Sequence, residues 1–364
     1  MVGAGVIGCA VAHELASRGA GVHVIDRREA GQGATRASAG ILAPRIEGHR
    51  EALLTLGLSS LALYDDFVRC VSADAGRPVE YRRTGTLQVA RTEDEAAALR
   101  EAAGALAAAG AAHALVGADE ARAMEPALGS AVVAGLVVPE HGYVGVASLV
   151  AALHAAGTRR GVTWSHETVE RIEPDGRGVR VTTAGPRPGV RVDADAVVDC
   201  AGSWSGQLGM RASPPPVRPI RGQLVHLRFA RAPLSHVIWG EACYLVPWSD
   251  GSLLVGATTE DVGFDESATE EGARRLMEAA RELLPCVDEA TVAGVRVGLR
   301  PATADELPLI GASPTMPGVY HATGHYRSGV LLAPLTARLL ADLIVDERRG
   351  AALDLVRPER FLQR

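Results

Sequence analysis

The chain has 364 residues, a length that suggests two domains or one large interrupted domain. Hydrophobic residues make up 47% of it and charged residues 22%, which is typical of a soluble globular enzyme. The net charge of −6 argues against the basic surface of a nucleic-acid-binding protein, so no nucleic-acid partner is expected.

The first recognisable element is the segment GAGVIG at residues 3–8, which fits the pattern G-x-G-x-x-G. A helical pattern covers residues 6–18 with Gly19 as its C-cap, and a strand at residues 21–26 ends in Asp26. This order predicts a helix N-terminus that faces a pyrophosphate and a carboxylate that accepts hydrogen bonds from a ribose. The pattern by itself does not decide between NAD and FAD.

Only Met1 and Val2 precede the first glycine. The strand before such a turn is central to a parallel sheet and normally has about five residues. We expect that the natural start lies upstream of Met1; the alternative is a clipped central strand.

The elements that follow alternate between helices and strands. In chain order, the patterns predict a loop to Pro44, a helix at 53–71, a strand at 82–90, a helix at 92–110, a strand at 131–144 and a helix with Ser148 as its N-cap. Strands and a hairpin then fill 161–200, and a buried run at 196–200 leads into the small-residue turn 201–204. This turn predicts a second cofactor contact, at Gly202. We expect Trp204 beside it to be a core residue rather than a cofactor contact.

The second half of the chain predicts a sheet of another kind. A proline-rich linker at 213–219 precedes strand patterns at 221–229, 236–248 and 251–260, and a helix at 272–285 ends at Pro285. Such consecutive strands suit an antiparallel sheet that covers the cofactor.

Two arginines and a tyrosine stand in apolar surroundings: Arg300, Arg327 and Tyr244. Together they are able to hold a substrate carboxylate, because a guanidinium binds both of its oxygens. The alternative is that the arginines form surface ion pairs, which contribute about 0–1 kcal/mol each.

Several further segments carry a family resemblance: ASAGILAP, RGQLVHL, YLVP, VGATTEDVGF, GLRPATADELPLIG and ATGHYRSGVLLAPLTA. With the first glycines, they make the chain resemble the D-amino-acid oxidase family of flavoproteins, in its glycine oxidase branch, over almost the entire length. The resemblance implies non-covalent FAD, since residues 300–327 contain no cysteine for a covalent link. It implies a Rossmann-like α/β FAD-binding domain (1–80, 142–215, 295–364) and an interleaved antiparallel-sheet substrate domain (81–141, 216–294).

The resemblance also assigns site residues. The implied FAD contacts are Gly3, Gly5, Val6, Ile7, Gly8, Asp26, Arg27, Ala34, Thr35, Ala39, Gly40, Ile41, Val169, Gly202, His325, Tyr326, Arg327, Ser328, Gly329, Val330 and Leu331. The implied substrate-binding residues are Arg300, Arg327 and Tyr244. For His325 we expect a packing role rather than that of a base.

The implied reaction is the oxidation of glycine or a similar small amine or D-amino acid. A hydride passes to the flavin, O₂ is reduced to H₂O₂, and the imine is hydrolysed to the 2-oxo acid or used in thiamine (thiazole) biosynthesis. A homotetramer is implied as well.

Two departures from the family pattern leave a larger substrate open: Val144-Gly145-Val146 and the pair Thr258-Thr259. A flavin dehydrogenase that reduces a quinone or carrier protein, and a catalytically silent binding subunit, also remain open.

The five cysteines, Cys9, Cys70, Cys200, Cys243 and Cys286, show neither paired nor metal-binding spacing. They predict free thiols in a reducing compartment. Neither a signal peptide nor an apolar run of about 18 residues is apparent. We therefore expect a cytoplasmic protein with no metal site and no membrane partner.

Overall fold

The computed structural model describes residues 1–47, 50–176, 178–184, 191–210 and 215–362. The helices in these ranges are α1 Val6–Ser17, α2 Pro44–Glu47, α3 Glu51–Leu61, α4 Tyr64–Ala75, α5 Glu93–Ala108, α6 Ala118–Met124, α7 Val146–Arg159, α8 Glu270–Leu283, α9 Gly329–Ile344 and α10 Ala352–Val356. No helix of this part of the chain is both long and apolar enough to cross a membrane.

The strands are β1 His23–Asp26, β2 Ile41–Leu42, β3 Tyr81–Arg82, β4 Thr86–Ala90, β5 Ala114–Gly117, β6 Ala134–Val138, β7 Gly142–Val144, β8 Thr163–His166, β9 Thr168–Asp175, β10 Gly178–Ala184, β11 Arg191–Ala194, β12 Val197–Asp199, β13 Gly209–Met210, β14 Arg218–Arg228, β15 Val237–Trp239, β16 Tyr244–Pro247, β17 Ser252–Gly256, β18 Thr291–Ala302, β19 Leu309–Ala312 and β20 Val319–Thr323. The chain is thus a mixed α/β protein, as predicted.

The first residues of the chain lie in the middle of a parallel layer. Val2 forms parallel bridges to Ile25 of β1 on one side and to Asp199 of β12 on the other. Beyond these neighbours, β1 pairs in parallel with β8, and β12 pairs in parallel with β20. The segment before Gly3 therefore takes the central position that the sequence predicts. The bridges to both neighbouring strands are made by the backbone of Val2.

Helices α1, α7 and α9 pack together beside this layer. Helix α1 is buried on nearly all sides because it carries small side chains, among them Ala10 and Ala12, which are fully buried. Small residues let the neighbouring helices approach closely. This packing fixes the N-terminus of α1 relative to the parallel strands.

The predicted helix at 53–71 is in fact two helices, α3 and α4, with a bend at Ala62 and Leu63. The apolar pattern continues across the bend, and Tyr64, the first residue of α4, is fully buried. Its hydroxyl donates a hydrogen bond of 2.6 Å to the carbonyl of Val330 in α9. A continuous apolar pattern does not reveal such a bend, because the buried face is preserved through it.

Other element predictions also need correction. Helix α7 begins at Val146 with Gly145 as its N-cap, and Ser148 lies in its first turn, where its hydroxyl donates to the carbonyl of Gly145 at 2.8 Å. The predicted strands at 82–90, 131–144 and 236–248 are each divided in two. Of the predicted linker, residues 213–214 lie outside the described residues, and 218–219 belong to β14.

The second half of the chain contributes most of an eight-stranded sheet in the order β18-β14-β17-β16-β15-β4-β6-β5. Its pairs are antiparallel except for β15 with β4, so the predicted antiparallel sheet is present. The amphipathic helix α8 covers one face, and its buried residues are Gly272, Leu276, Ala280 and Leu283. Strand β18 extends from this sheet to the parallel layer, since Ala302 bridges to His325.

Candidate active site

A cleft runs from the first glycine turn, past β14, β16 and β18 of the large sheet, to the start of α9. Most of the residues predicted to bind cofactor or substrate line it: Gly3, Gly5, Val6, Ile7, Asp26, Arg27, Ala34, Thr35, Ala39, Gly40, Ile41, Val169, Gly202, Tyr244, Arg300, His325, Tyr326, Arg327, Gly329 and Val330. Residues more than 300 positions apart in the chain, such as Gly3 and Val330, are thus gathered along one surface.

Three predicted cofactor contacts, Gly8, Ser328 and Leu331, do not line the cleft. Gly8 packs against the glycine turn, where a Cβ would lie 2.0 Å from the carbonyl oxygen of Gly3. Ser328 is buried and donates its N–H to the carbonyl of His325 at 2.9 Å, which closes the turn before α9. Leu331 is buried in the core behind that turn. These three residues support the wall of the cleft instead of facing it.

The glycine turn opens the N-terminus of α1 toward the cleft. Gly3 has a φ of +106°, and a Cβ there would lie 2.4 Å from the carbonyl oxygen of Cys200, so only glycine fits. Gly5 is the N-cap of α1 and provides no side chain to cap it. Because the first N–H groups of a helix lack partners within it, this end attracts an anion such as a pyrophosphate.

Asp26 joins this turn to the loop that follows β1. Its carboxylate accepts hydrogen bonds from the backbone N–H groups of Ala4 at 2.7 Å and Arg28 at 2.8 Å. These contacts fix the carboxylate at the rim of the cleft. Two of its lone-pair directions are used, and others remain able to accept a ribose hydroxyl.

Trp204 is a cleft residue, so the prediction of a core position is wrong. It is half-buried, and the guanidinium groups of Arg27 and Arg28 lie 4.7 and 4.8 Å from its ring centroid. Arg28 is held in place by an ion pair with Glu266 at 2.5 Å. The ring and the two cations form one wall where β1 ends, which is the end of the cleft expected to hold the adenosine part of a dinucleotide.

The loop of residues 34–41 crosses the middle of the cleft. The Thr35 hydroxyl accepts the N–H of Val6 at 3.0 Å, and Gly40, at a φ of +79°, lies so close to Val144 that a Cβ would be 1.9 Å from the Val144 carbonyl oxygen. Val144 in turn donates its N–H to Gly40 at 2.8 Å. The segment 144–146 therefore supports this loop from behind and does not line the cleft, which argues against its setting substrate size directly.

At the other end, the turn between β20 and α9 is built around His325. This side chain is buried and bonded through Nε2 to the Thr336 hydroxyl at 3.0 Å. Burial lowers the pKa of His325 to about 3, so the ring is neutral at physiological pH. The hydrogen bond of His325 to Thr336, a residue of α9, agrees with the packing role expected for His325. Tyr326, at a φ of +49°, then turns the chain into the helix.

Arg300 projects into the cleft from β18 and is placed by main-chain groups. Its guanidinium donates to the carbonyl of Thr258 at 3.0 Å and lies flat over Gly222, where a Cβ would be 2.2 Å from Nη1. Tyr244 occupies a similar slot at Gly256, where a Cβ would be 2.5 Å from the phenol ring. Glycines inside strands thus leave the space that these two side chains fill.

Arg300, Arg327 and Tyr244 form the predicted substrate clamp. Its two arginines do not form ion pairs with other described residues. Within the described ranges, neither Arg300 nor Arg327 has a carboxylate within 4.0 Å. Arg327 donates instead to the Thr259 hydroxyl at 3.0 Å, so Thr258 and Thr259 position the arginines and do not themselves line the cleft. Burial raises the pKa of Tyr244 to about 12, and its hydroxyl therefore stays protonated as a hydrogen-bond donor.

Glu47 is a cleft residue that the sequence patterns did not indicate. Burial raises its pKa to about 7, and the positive charges of Arg327 and Arg300 oppose the increase. Gly222 and Gly298 were missed as well, although a glycine within a strand is a known sign of close approach. The sequence feature that could have indicated Glu47 is its place as the single acidic residue of the mostly apolar segment ILAPRIE.

Comparisons with known proteins agree with this geometry. Residues 1–343 match the DAO family, described as FAD dependent oxidoreductase. A glycine oxidase from Geobacillus kaustophilus is 34% identical over 361 residues, covering 98% of this chain and 94% of that protein. A bifunctional ThiO/ThiG protein from Nostoc sp. is 36% identical over 97% of this chain, which spans 53% of that longer protein.

Solved structures show the same relationship. The crystal structure of glycine oxidase from Geobacillus kaustophilus superposes with a TM-score of 0.89 at 33% identity, over 96% of this chain and 94% of that one. Iminodiacetate oxidase from Chelativorans sp. gives a TM-score of 0.89 at 25% identity, over 98% of both chains. The predicted cofactor, FAD, and the predicted family are confirmed: the chain belongs to the DAO family of FAD-dependent oxidoreductases.

Proposed function

We propose that this protein oxidises glycine, or a similarly small amine that carries a carboxylate, to the corresponding imine, with O₂ as electron acceptor. The observation that carries the proposal is the half-buried guanidinium of Arg300, which faces the cleft without a carboxylate partner among the described residues. A cation that is largely removed from water is costly unless an anion completes the site. The glycine oxidases among the relatives support a small amino acid as that anion.

The residues of the cleft fit FAD along its length. The uncapped N-terminus of α1 suits the pyrophosphate, and Asp26 suits the ribose. At the far end, α9 begins at Gly329 without a side-chain cap, so its first N–H groups suit the flavin edge on which negative charge develops. Along this path, neighbouring atoms leave no room for a side chain at Gly3 or at Gly298.

FAD, when bound, supplies the two-electron oxidation at the substrate's α carbon and the return of those electrons to O₂ as H₂O₂. Arg300 binds the substrate carboxylate through its planar fork, and protonated Tyr244 donates a further hydrogen bond. His325 is neutral and engaged with Thr336, so it takes no proton from the substrate. The contribution of the chain is thus orientation of the substrate. Water then hydrolyses the released imine to the 2-oxo acid and ammonia.

We also propose the following assignments. The FAD-binding domain comprises 1–80, 142–215 and 295–364, and the substrate domain 81–141 and 216–294. The bifunctional ThiO/ThiG relatives support a role in thiamine biosynthesis, in which the imine is used in thiazole formation. The five free cysteines support a cytoplasmic location. A homotetramer rests on the family resemblance alone, and light scattering after gel filtration tests it.

The test of the proposed activity is anaerobic mixing of the FAD-loaded protein with glycine, sarcosine, D-alanine or iminodiacetate, followed by admission of air. The proposal expects glycine to bleach the flavin absorbance fastest and H₂O₂ to form on reoxidation. Faster bleaching by a bulkier amine would assign the larger substrate instead. Bleaching without H₂O₂ would indicate a dehydrogenase, and no bleaching by any amine would indicate a non-catalytic subunit.

A further inference from the structure

A second cavity, of about 780 Å³, lies on the other side of the loop of residues 29–36. Helix α7 forms its floor with Val146, Ala147, Val150 and Ala151, and the outer part of β18 forms the opposite wall. Gln32 is shared with the cofactor cleft, so the two spaces adjoin. The volume falls within the range of about 300–1,000 Å³ that small-molecule sites occupy.

Three arginines line this cavity: Arg36, Arg77 and Arg296. We refer to it as the arginine groove. Among the described residues, none of the three has a carboxylate within 4.0 Å, and Arg36 contacts only the side-chain oxygen of Gln32, at 3.4 Å. Glu29 is the only acidic residue among those that line the groove, against three guanidinium groups. In a chain with a net charge of −6, this local positive charge runs against the overall balance.

Two histidines of the groove, His154 and His226, do not add to that charge at neutral pH. Burial lowers the pKa of His154 and of His226, and the positive charges of Arg296 and Arg228 lower the pKa of His226 further. His154 instead packs on the ring of Trp164, with centroids 4.3 Å apart. The guanidinium groups are therefore the source of positive potential.

Arg296 is held rigidly at the wall of the groove. Its guanidinium lies 4.9 Å from the ring centroid of Trp248, and its Nη2 is 3.3 Å from Nδ1 of His226. His226 is oriented by the Ser252 hydroxyl, 2.9 Å from its Nε2. A guanidinium fixed by stacking and by a neutral histidine loses little side-chain entropy when it binds an anion.

Arg296 and Arg36 both line the groove, and their positive charges repel each other. Burial lowers the pKa of Arg296, and the positive charge of Arg36 lowers it further. An arginine keeps its charge under such conditions, so the repulsion between the two groups persists. An anion placed between them would relieve it.

We propose that the arginine groove binds a small organic anion, a molecule with a phosphate or carboxylate group and an apolar body. The anionic group contacts Arg296 and Arg36, two of the three guanidinium groups that lack an acidic partner, because an anion there relieves the repulsion between their charges. The apolar body lies on the alanine and valine side chains of α7, which a bare inorganic ion would leave exposed. This site is distinct from the substrate clamp and does not depend on the proposed function.

The test is calorimetric titration of the FAD-loaded full chain with phenyl phosphate, and with inorganic phosphate for comparison. Glycolate is present at saturation to occupy the Arg300 clamp. We expect phenyl phosphate to bind at least tenfold more tightly than inorganic phosphate, and its affinity to fall between 50 and 200 mM salt, as it does for partly exposed charges. We expect R296Q and R36Q each to weaken binding of phenyl phosphate about tenfold, the loss of one charge-assisted contact.

The matched control is R275Q, which removes an exposed arginine of α8 that pairs with Glu271 at 3.4 Å. It should leave the affinity unchanged, and thermal melts of all variants establish that each is folded. Arg36 is exposed, so R36Q is expected to fold even if R296Q does not. No binding of phenyl phosphate, equal binding by R36Q and wild type, or equal affinity for the two phosphates would overturn the proposal.

Discussion

The slot at Gly222 allows a direct test of how precisely Arg300 must be placed. In Gly222→Ala, the added Cβ would lie 2.2 Å from Nη1 and 2.3 Å from Cζ and Nη2 of Arg300, whereas ordinary contacts begin at 3.4 Å. The guanidinium must therefore move by about 1.2 Å. Because it is the end of a flexible side chain, it can move without disrupting β14. A misplacement of about 1 Å can cost roughly 100-fold in rate, so we expect kcat/KM for glycine to fall by about that factor.

The assay has two parts, so that binding and turnover are separated. Initial rates of H₂O₂ formation give kcat/KM for glycine, and the flavin spectral shift on titration with glycolate gives the Kd of a carboxylate that is not consumed. We expect both to worsen in Gly222→Ala, while the FAD content and Tm stay close to those of the wild type. The control is Gly104→Ala, where no atom lies within 4 Å of the added Cβ and the glycine is in the exposed helix α5. It should leave both parameters unchanged and raise stability by up to about 1 kcal/mol.

A Gly222→Ala protein whose kcat/KM and glycolate Kd are within threefold of wild type would refute the reasoning. It would mean that Arg300 is not the carboxylate ligand, or that the clamp tolerates a displacement of this size.

Three further changes test other parts of the site and its support. Arg300→Lys replaces the planar fork by a point charge, and we expect the KM for glycine to rise about ten- to 100-fold, the effect of losing one bidentate contact, measured by steady-state kinetics. Glu47→Gln removes a carboxyl group whose pKa is raised from 4.5 to about 7 in the folded state, so the stability that its protonation contributes is present below pH 4.5 and lost as pH rises through 7. We expect the wild type to lose up to about 3 kcal/mol relative to this variant between pH 4 and 8, measured by urea unfolding. Tyr64→Phe leaves the Val330 carbonyl without its 2.6 Å hydrogen bond, and we expect a loss of about 1–3 kcal/mol in the same unfolding assay.

Each of these predictions has an outcome that contradicts it. An unchanged KM in Arg300→Lys would exclude fork binding of the carboxylate. Parallel stability curves of wild type and Glu47→Gln across pH 4–8 would show that Glu47 titrates normally. For Tyr64→Phe the comparison is Tyr81→Phe, whose hydroxyl contacts the exposed Asp65 at 2.6 Å. Equal losses in the two variants would show that burial of the Val330 carbonyl is not the cause.

The sequence by itself determined the family and the two ends of the cofactor cleft. The first glycine turn and the turn before α9 are short segments in which local conformation requires particular residues. Gly3 adopts a positive φ beside the Cys200 carbonyl, and His325 anchors a turn that leads directly into a helix. Such requirements involve residues that are adjacent in the chain, so sequence patterns locate both turns. The acid at the end of β1 is identified by its position at the end of a strand.

The tertiary structure alone decided what surrounds the predicted substrate clamp. Gly222 and Gly256 shape the slots of Arg300 and Tyr244, and Glu47 faces the clamp from a different segment of the chain. Trp204 was expected in the core and instead lines the cleft, stacked against arginines about 175 positions earlier. In each case the partners are distant in the chain, and nothing in either segment alone indicates the other. Packing between the parallel layer and the large sheet brings them together, which is why only the folded chain shows these contacts.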